Sequence, residues 1–557
     1  SRRADEPTSR RADEPTSRRA DEPTSRRAVL AVGRNGAALT RFSDILSIFD
    51  DDLRIRVRFT ISPGSPHAAG NLELLAEQGA AYLPWNEAVG LRHGLVISTS
   101  ANGDLHRLRG PLMLLPHGAG RHKPNNRSRV DEAPYGLAAS QLLHRGRVLP
   151  DVLGVSHESQ FGLLARHCPR ALPRAVLVGD PCLDRLKASA HLRPVFREAL
   201  GVAKHQELVL ISSTWGPVSA FGVFPDLPTR ALRELPADRY RVALVLHPNI
   251  WATYGRRQIE AWYSSAREAG LGLIPWQQGW QAAVLAADHV IGDNGSVTCY
   301  AAALGKPVSL IGVDEQNLVP GSPMERLTQI YPAVDDRQDL RDQLGLARDT
   351  DSIRIGRQVA SEAFGLSGGS AAALRAAAYR LLQLSEPLNR AAPQPVSAPR
   401  QALPSPSAYV FDIGESDDGL IELSSFPAAL QPRRAARNPG LLAADADAAS
   451  IRHLSSADIV FRRRPQGLGQ DWAGDAQEDL GSLLQAYPGC QLSALITGGT
   501  CVMLGRDGVI RRGSLPSGEE ADPLVIAVAA LVGQQGEATR AMVVRSGGRT
   551  VSIMMNQ

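Results

Sequence analysis

ADHVIGDNGSVTCYAAALGKPVSLIG, residues 287–312, runs from an apolar stretch through a polar turn into an Ala-rich helical stretch, then a second apolar run behind Lys306-Pro307. Strand, turn, helix and strand in that order are the texture of a parallel sheet with crossover helices. The turn, Asp293-Asn294-Gly295-Ser296, admits two readings. In the first, Asp293 or Ser296 caps the helix, satisfying free N–H groups for roughly 0.5–2 kcal/mol. In the second, the helix N-terminus takes a phosphate, with Gly295 permitting close approach and Ser296 offering a hydroxyl.

The same alternation extends along most of the chain. AVLAVG (28–33), RIRVRFTI (54–61), LVISTS (95–100), PLMLLPHG (111–118), DVLGVS (151–156) and AVLVGDP (175–181) are strand candidates. A second series follows: ELVLISSTWG (207–216), RVALVLHPN (241–249), LGLIPW (271–276), DHVIGDNGS (288–296) and KPVSLIG (306–312). Two series with a break near 185–205 predict an α/β protein of two Rossmann-like domains facing a cleft. Ligands of such sheets bind at the carboxyl ends of the strands. His117, Ser212 to Trp215, His247 and Asp293 to Ser296 all fall there. Pro248 turns the chain out of the sheet and leaves the His247 imidazole at the cleft edge. Gly118 and Gly120 make the loop after His117 a close-approach loop, and Arg121-His122-Lys123 adjoins it. Two histidines at equivalent strand ends suit a reaction that needs a base and a stabiliser of negative charge.

The predicted boundaries follow composition. Residues 1–27 hold three copies of SRRADEPT, each charge-neutral and without large apolar side chains, followed by SRR, and read as a disordered arm. Residues 28–195 form the first, acceptor-side domain and 196–384 the second, nucleotide-binding one, ending in a helix at 370–384. A proline-rich linker spans 385–408. An accessory α/β module takes 409–557. Its part from about 470 reads helix (476–486), paired strands (491–512), helix (523–534) and two strands (540–545 and 549–555).

Several function classes are excluded. The longest apolar run, Val525 to Val532, is too short to span a bilayer. No apolar segment of signal-peptide type is visible near the start. Five scattered cysteines (168, 182, 299, 490, 501) without a CxxC pair predict neither a disulfide framework nor a zinc site, and a cytoplasmic protein. Cys490 and Cys501 read as packed core thiols. The 61 bases against 57 acids, with 5% aromatics, do not suggest nucleic-acid binding. No HExxH, GxSxG or Walker A pattern occurs, so no metal is expected. Arg433-Arg434 and Arg462-Arg463-Arg464 read as solvated faces.

The order HGAGRHK (117–123), VLVGDPCLDRL (176–186), LISSTWG (210–216), LHPN (246–249) and the opening stretch resembles the CDP-glycerol glycerophosphotransferases of teichoic-acid synthesis, over about residues 28–384. Asp293, Ser296, Val297, Lys306 and Pro307 match that family's strongest block. The resemblance implies the GT-B architecture and attack of an acceptor hydroxyl on the β-phosphate of a CDP-linked polyol, with CMP released. It implies His117 as general base and His247 as stabiliser of phosphate charge. Ser213, Thr214, Asp293, Asn294, Gly295 and Ser296 would hold the nucleotide. No cofactor is required for such positioning-dominated chemistry. The implied partners are a nucleotide-linked polyol or sugar donor and a hydroxyl or polymer acceptor. Peripheral membrane contact and homodimerisation through the C-terminal module complete the partner expectations. That module is similar in element order to the roadblock/LC7 domains. Departures at Ala119-Gly120, Gly216 and Asn249 motivate two alternatives: a catalytically degenerate nucleotide-binding scaffold and a nucleotide-sugar glycosyltransferase. A UDP-sugar 2-epimerase is disfavoured, because Thr298, Cys299 and Tyr300 stand where its glutamates would be.

Overall fold

The computed structural model describes residues 26–64, 68–125, 133–313, 315–415, 420–430, 440–464, 472–533 and 541–556. The SRRADEPT repeats and the Arg433-Arg434 pair lie outside the described residues. All eleven strand candidates of the two series are strands. The first sheet comprises β1 (Arg27–Gly33), β2 (Ile55–Ile61), β3 (Leu95–Ser98), β4 (Leu112–Leu114), β5 (Val152–Val155) and β6 (Ala175–Leu177), in the order β2-β1-β3-β4-β5-β6. The second comprises β7 (Glu207–Ser213), β8 (Tyr240–Leu246), β9 (Gly272–Ile274), β10 (His289–Gly292) and β11 (Val308–Leu310), in the order β9-β8-β7-β10-β11. Every pairing in both is parallel.

Parallel sheets need apolar cover on both faces, and the strands are written for it. Along β1, Val29 and Ala31 enter one core while Leu30 and Val32 enter another. Along β7, Leu208 and Leu210 face one side, Val209 and Ile211 the other. The result is two Rossmann-like halves with a cleft between their carboxyl ends, the GT-B arrangement. The helix Ser370–Leu382 follows the second half in sequence but packs on the first. Its Leu374, Ala378 and Tyr379 share a core with Phe42 and Ile48. The Tyr379 hydroxyl donates to Asp52 Oδ2 at 2.7 Å, and Arg375 Nε to the Ile48 carbonyl at 3.0 Å.

Residues 385–407 carry no helix or strand, yet they are fastened down along their length. The Arg185 guanidinium donates to the Gln394 and Pro395 carbonyls, Val396 N to Ser189 Oγ at 2.9 Å, and Arg241 to the Leu403 and Pro404 carbonyls. The proline-rich stretch is a strap laid over both halves.

Beyond it the α/β element order is present, but the strands close into a barrel. These are β12 (Ala408–Glu415), β13 (Ile421–Pro427), β14 (Leu441–Asp445), β15 (Ile459–Arg464), β16 (Leu492–Thr497), β17 (Thr500–Gly505), β18 (Ile510–Ser514), β19 (Ala541–Ser546) and β20 (Arg549–Asn556). They run in the order β12-β13-β19-β20-β18-β17-β16-β15-β14, with β14 returning to β12. The helix Leu524–Val532 is apolar on all sides and fills the interior, against Phe411, Phe461, Ala494, Met503, Val544 and Ile553. The strands β12 to β15 are therefore part of the same body as β16 to β20. Cys490 and Cys501 are buried, and burial pushes both thiols up. The Arg462–Arg464 run is paired rather than merely solvated: Arg462 meets Asp447 and Asp479, Arg463 meets Asp522, and Arg464 meets Asp479. The barrel seats on the second half through Asp238, whose carboxylate accepts from Ser425 N at 3.0 Å and Gly547 N at 2.6 Å, and from the Ser425 and Ser546 hydroxyls.

Candidate functional site

In the turn after β10, Asp293 takes a part that neither reading of the sequence gave it. Asp293 is 1% exposed, and its Oδ2 accepts from Thr214 N (2.7 Å), Thr214 Oγ1 (2.7 Å) and Ala220 N (3.1 Å). It neither caps the helix nor reaches the cleft; it staples the end of β10 to the loop after β7. Burial pushes its pKa up, and the Thr214 and Ala220 donors pull the other way. Gly295 is the cap residue of the helix Ser296–Ala303, without a side-chain cap bond. Ser296 Oγ accepts from Ala119 N at 3.1 Å, across the cleft. A Cβ at position 118 would lie 2.6 Å from that Oγ, which is why the loop after β4 needs glycine there.

His122 closes the same junction. Its Nε2 donates to the Asn294 carbonyl at 2.8 Å, and its own carbonyl accepts from Val319 N. Burial pushes its pKa down to about 4, with Lys123 adding to the effect, so the ring is neutral at pH 7. The two halves thus meet through Ser296 with Ala119 and His122 with Asn294. The first sheet's loop lies directly over the turn.

His117, Ser213, Thr214, His247, Gly295 and Ser296 all line one cleft of about 760 Å³. Asp293 and Asn294 stand behind its wall. The Ser213 hydroxyl donates to the Thr214 carbonyl and accepts from Phe221 N at 2.8 Å, so it braces the loop. His247 Nδ1 accepts from Asn249 N at 3.1 Å, which leaves the proton of the neutral ring on Nε2. His117 opens on the cleft with its ring edge-on to Tyr135 at 5.4 Å. The residue is solvent-exposed, yet desolvation by the cleft walls closing round it and the nearby Arg121 guanidinium push its pKa down to about 4, so the imidazole is unprotonated at neutral pH.

Two groups of residues contribute that the sequence reading did not assign. Arg121 has a left-handed backbone (φ 46°), and its guanidinium is held by the Tyr135 and Gly154 carbonyls. Its Nε is buried without a partner, and no carboxylate among the described residues pairs with it. Burial pushes its pKa down to about 10. Under the cleft floor, Asp180 caps the helix Pro181–Ala188 and accepts from Arg41 Nη2 (2.8 Å) and the Tyr300 hydroxyl (3.1 Å). Asp44 accepts from Arg185 (3.1 Å) and Gln281 (3.0 Å). The motif VLVGDPCLDRL contained Asp180, but its partners lie far off in sequence. Around the cleft, the cations Arg34, Arg41, Arg121, Lys123 and Arg185 stand against one carboxylate, Asp44, among the described residues. Among those residues no group of three His, Cys, Asp or Glu side chains gathers in a metal-holding arrangement.

No family model matches the chain, and no curated protein does. Among solved structures it is similar in fold to the wall teichoic acid polymerase TagF, at 13% identity over 64% of this chain and 89% of that one, with a TM-score of 0.42. It is also similar to the S. aureus MnaA–UDP co-structure, at 11% identity over 65% and 100% with a TM-score of 0.39. A third similar structure is UDP-GlcNAc 2-epimerase from Neisseria meningitidis bound to UDP-GlcNAc, at 15% identity over 64% and 100% with a TM-score of 0.38.

Proposed function

We propose that the chain is a transferase that moves a polyol-phosphate group, glycerophosphate-like, from a CDP-linked donor to a hydroxyl acceptor within this cleft. The observation that supports it most is Arg121: it lines the cleft beside His117, and among the described residues no carboxylate neutralises it, whereas Arg41 and Arg185 are paired with Asp180 and Asp44. Such a cation suits a diphosphate, whose charge-assisted contacts are each worth about 1.5–3 kcal/mol. Arg121 and Lys123, with the uncapped N-terminus of the helix Ser296–Ala303, would hold the phosphates. His117, unprotonated at neutral pH, would take the proton of the acceptor hydroxyl as its oxygen bonds to the β-phosphorus. The bond from that phosphorus to the CMP oxygen breaks, and CMP leaves. The His247 Nε2–H would donate to a phosphate oxygen as charge builds there. A bound diphosphate offsets the Arg121 field and brings His117 nearer its working range.

A specific observation also favours the scaffold alternative: the Ser213 and Thr214 hydroxyls are spent on Thr214 O and Asp293, so neither is left to hold a donor. Calorimetry with CDP-glycerol, CDP-ribitol, UDP-sugars and CMP, paired with assay of CMP release, separates the two. Turnover that survives both His117→Ala and His247→Ala would refute the assigned roles, and tight binding without turnover would favour the scaffold. The barrel is assigned an accessory role in self-association, which sedimentation of the chain with and without residues 408–557 would test.

A further inference from the structure

Among the described residues, two side-chain carbonyl oxygens in the cleft wall are buried and unpartnered: Asn249 Oδ1 and Gln277 Oε1. Asn249 is 7% exposed and lies three residues past the end of β8; Gln277 lies three past the end of β9, the neighbouring strand. Both line the cleft. Buried carbonyl oxygens without hydrogen bonds are rare, because each forgoes its hydration for nothing. The two loops are also locked together. A Cβ on Gly36 of the first half would sit 2.7 Å from the Trp276 ring and 2.9 Å from Pro248, so one glycine abuts both. Beside them, Trp215 after β7 is 58% exposed, lines the cleft and has its ring 6.4 Å from that of His247.

Arg121 and Lys123 belong to a different loop. The loop bearing Arg121 and Lys123 is pinned over the turn after β10 by the Ser296–Ala119 and His122–Asn294 bonds. The Arg34 guanidinium donates to the Pro63 and Gly64 carbonyls. In the strand order β9-β8-β7-β10, the ends of β8 and β9 are two and three steps from that turn, about 10–14 Å at ordinary strand spacing. A nucleoside diphosphate with its phosphates at the cationic turn has its ring at about that distance.

We propose that Asn249, Gln277 and Trp215 form a nucleobase subsite, in which the two side-chain amides read a neutral donor–acceptor ring edge and the base stacks on the indole. The subsite rests on the nucleotide-handling reading above and deepens it: phosphate is held at β10, base identity is sensed at β8 and β9. A carboxamide offers one acceptor and one donor group, which matches a base edge and suits a phosphate oxygen poorly. Stacking on an exposed indole adds affinity irrespective of base.

The test is calorimetry on the full chain with CMP, UMP, AMP, GMP, ribose 5-phosphate and pyrophosphate. The wild type is expected to bind at least one nucleoside monophosphate about tenfold or more tighter than ribose 5-phosphate. Asn249→Ala and Gln277→Ala should each erase roughly fivefold of that advantage and Trp215→Ala roughly tenfold, with pyrophosphate affinity within about twofold of wild type. Unfolding midpoints of the three variants check that they fold; none of the three side chains makes a hydrogen bond among the described residues, and Trp215 is exposed. Loss of pyrophosphate affinity in step with nucleotide affinity overturns the subsite, as does unchanged nucleotide selectivity. A wild type that binds pyrophosphate but does not distinguish nucleotides from ribose 5-phosphate overturns the subsite alone. A wild type that binds none of the probes overturns the nucleotide reading, and the subsite with it.

Discussion

His122 makes the junction between the halves sensitive to acid, by an amount that can be worked out. Its folded pKa is about 4, against about 6.5 for an unperturbed histidine in the unfolded chain. The folded state therefore binds fewer protons than the unfolded state between those values, and stability falls as pH falls through that window. At pH 5 nearly every unfolded chain carries the proton on this ring and about one folded chain in ten does, which amounts to about 2 kcal/mol relative to pH 8. Other groups titrate there too: burial holds the His289 pKa near 3, while Asp238 and Asp293, with raised pKa values, act in the opposite direction. The comparison that isolates His122 is wild type against His122→Gln, whose amide N–H keeps a donor for the Asn294 carbonyl. Urea unfolding of both at pH 8, 6 and 5 should show the variant losing about 2 kcal/mol less than wild type on going from 8 to 5. Parallel pH profiles would refute the reasoning, since they would mean that His122 is protonated equally in both states.

Three further outcomes are expected. Arg121→Met removes a guanidinium that no described carboxylate neutralises, so pyrophosphate binding by calorimetry should weaken about 10–100-fold while the unfolding midpoint changes little; unchanged affinity would place the anion elsewhere. Gly118→Ala drives a methyl to 2.6 Å from Ser296 Oγ and should cost roughly 1–3 kcal/mol, much of it recovered in the double variant with Ser296→Ala; additive costs would show that the close approach is not the cause. Asp238→Ala leaves Ser425 N and Gly547 N without their acceptor at the barrel junction, for roughly 2–4 kcal/mol, and should speed proteolysis within residues 385–407; an unchanged cleavage rate would mean that the barrel is held by other contacts.

The fold was legible because its signals are local. ELVLISS and RVALVL are apolar on both faces, and only a strand covered on both sides uses such a run. The polar residues that follow each run located the cleft for the same reason, since strand ends are fixed by the runs themselves. The roles of individual hydroxyls were not legible. Thr214 and Asp293 are 79 residues apart, Ala119 and Ser296 177, His122 and Asn294 172, and no local pattern announces such bonds. A DNGS turn before an Ala-rich helix looks the same whether its carboxylate caps, binds or staples. Arg121 was read only as part of a basic cluster, because its burial depends on the Tyr135 and Gly154 carbonyls closing around it.

The C-terminal region divides along the same line. Helix and strand segments after 470 could be read from their pattern, the helix at 523–534 among them, but its burial on every side is a fact of the structure. Closure into a barrel depended on β13 pairing with β19, Ile421 beside Val544, and that register is set by how nine strands share one interior. The sequence by itself determined which segments are strands and which ends face a ligand, because hydrophobic periodicity acts within a few residues. The tertiary structure alone decided which polar groups remain available to that ligand, because a buried donor or acceptor takes whichever partner the fold brings to it.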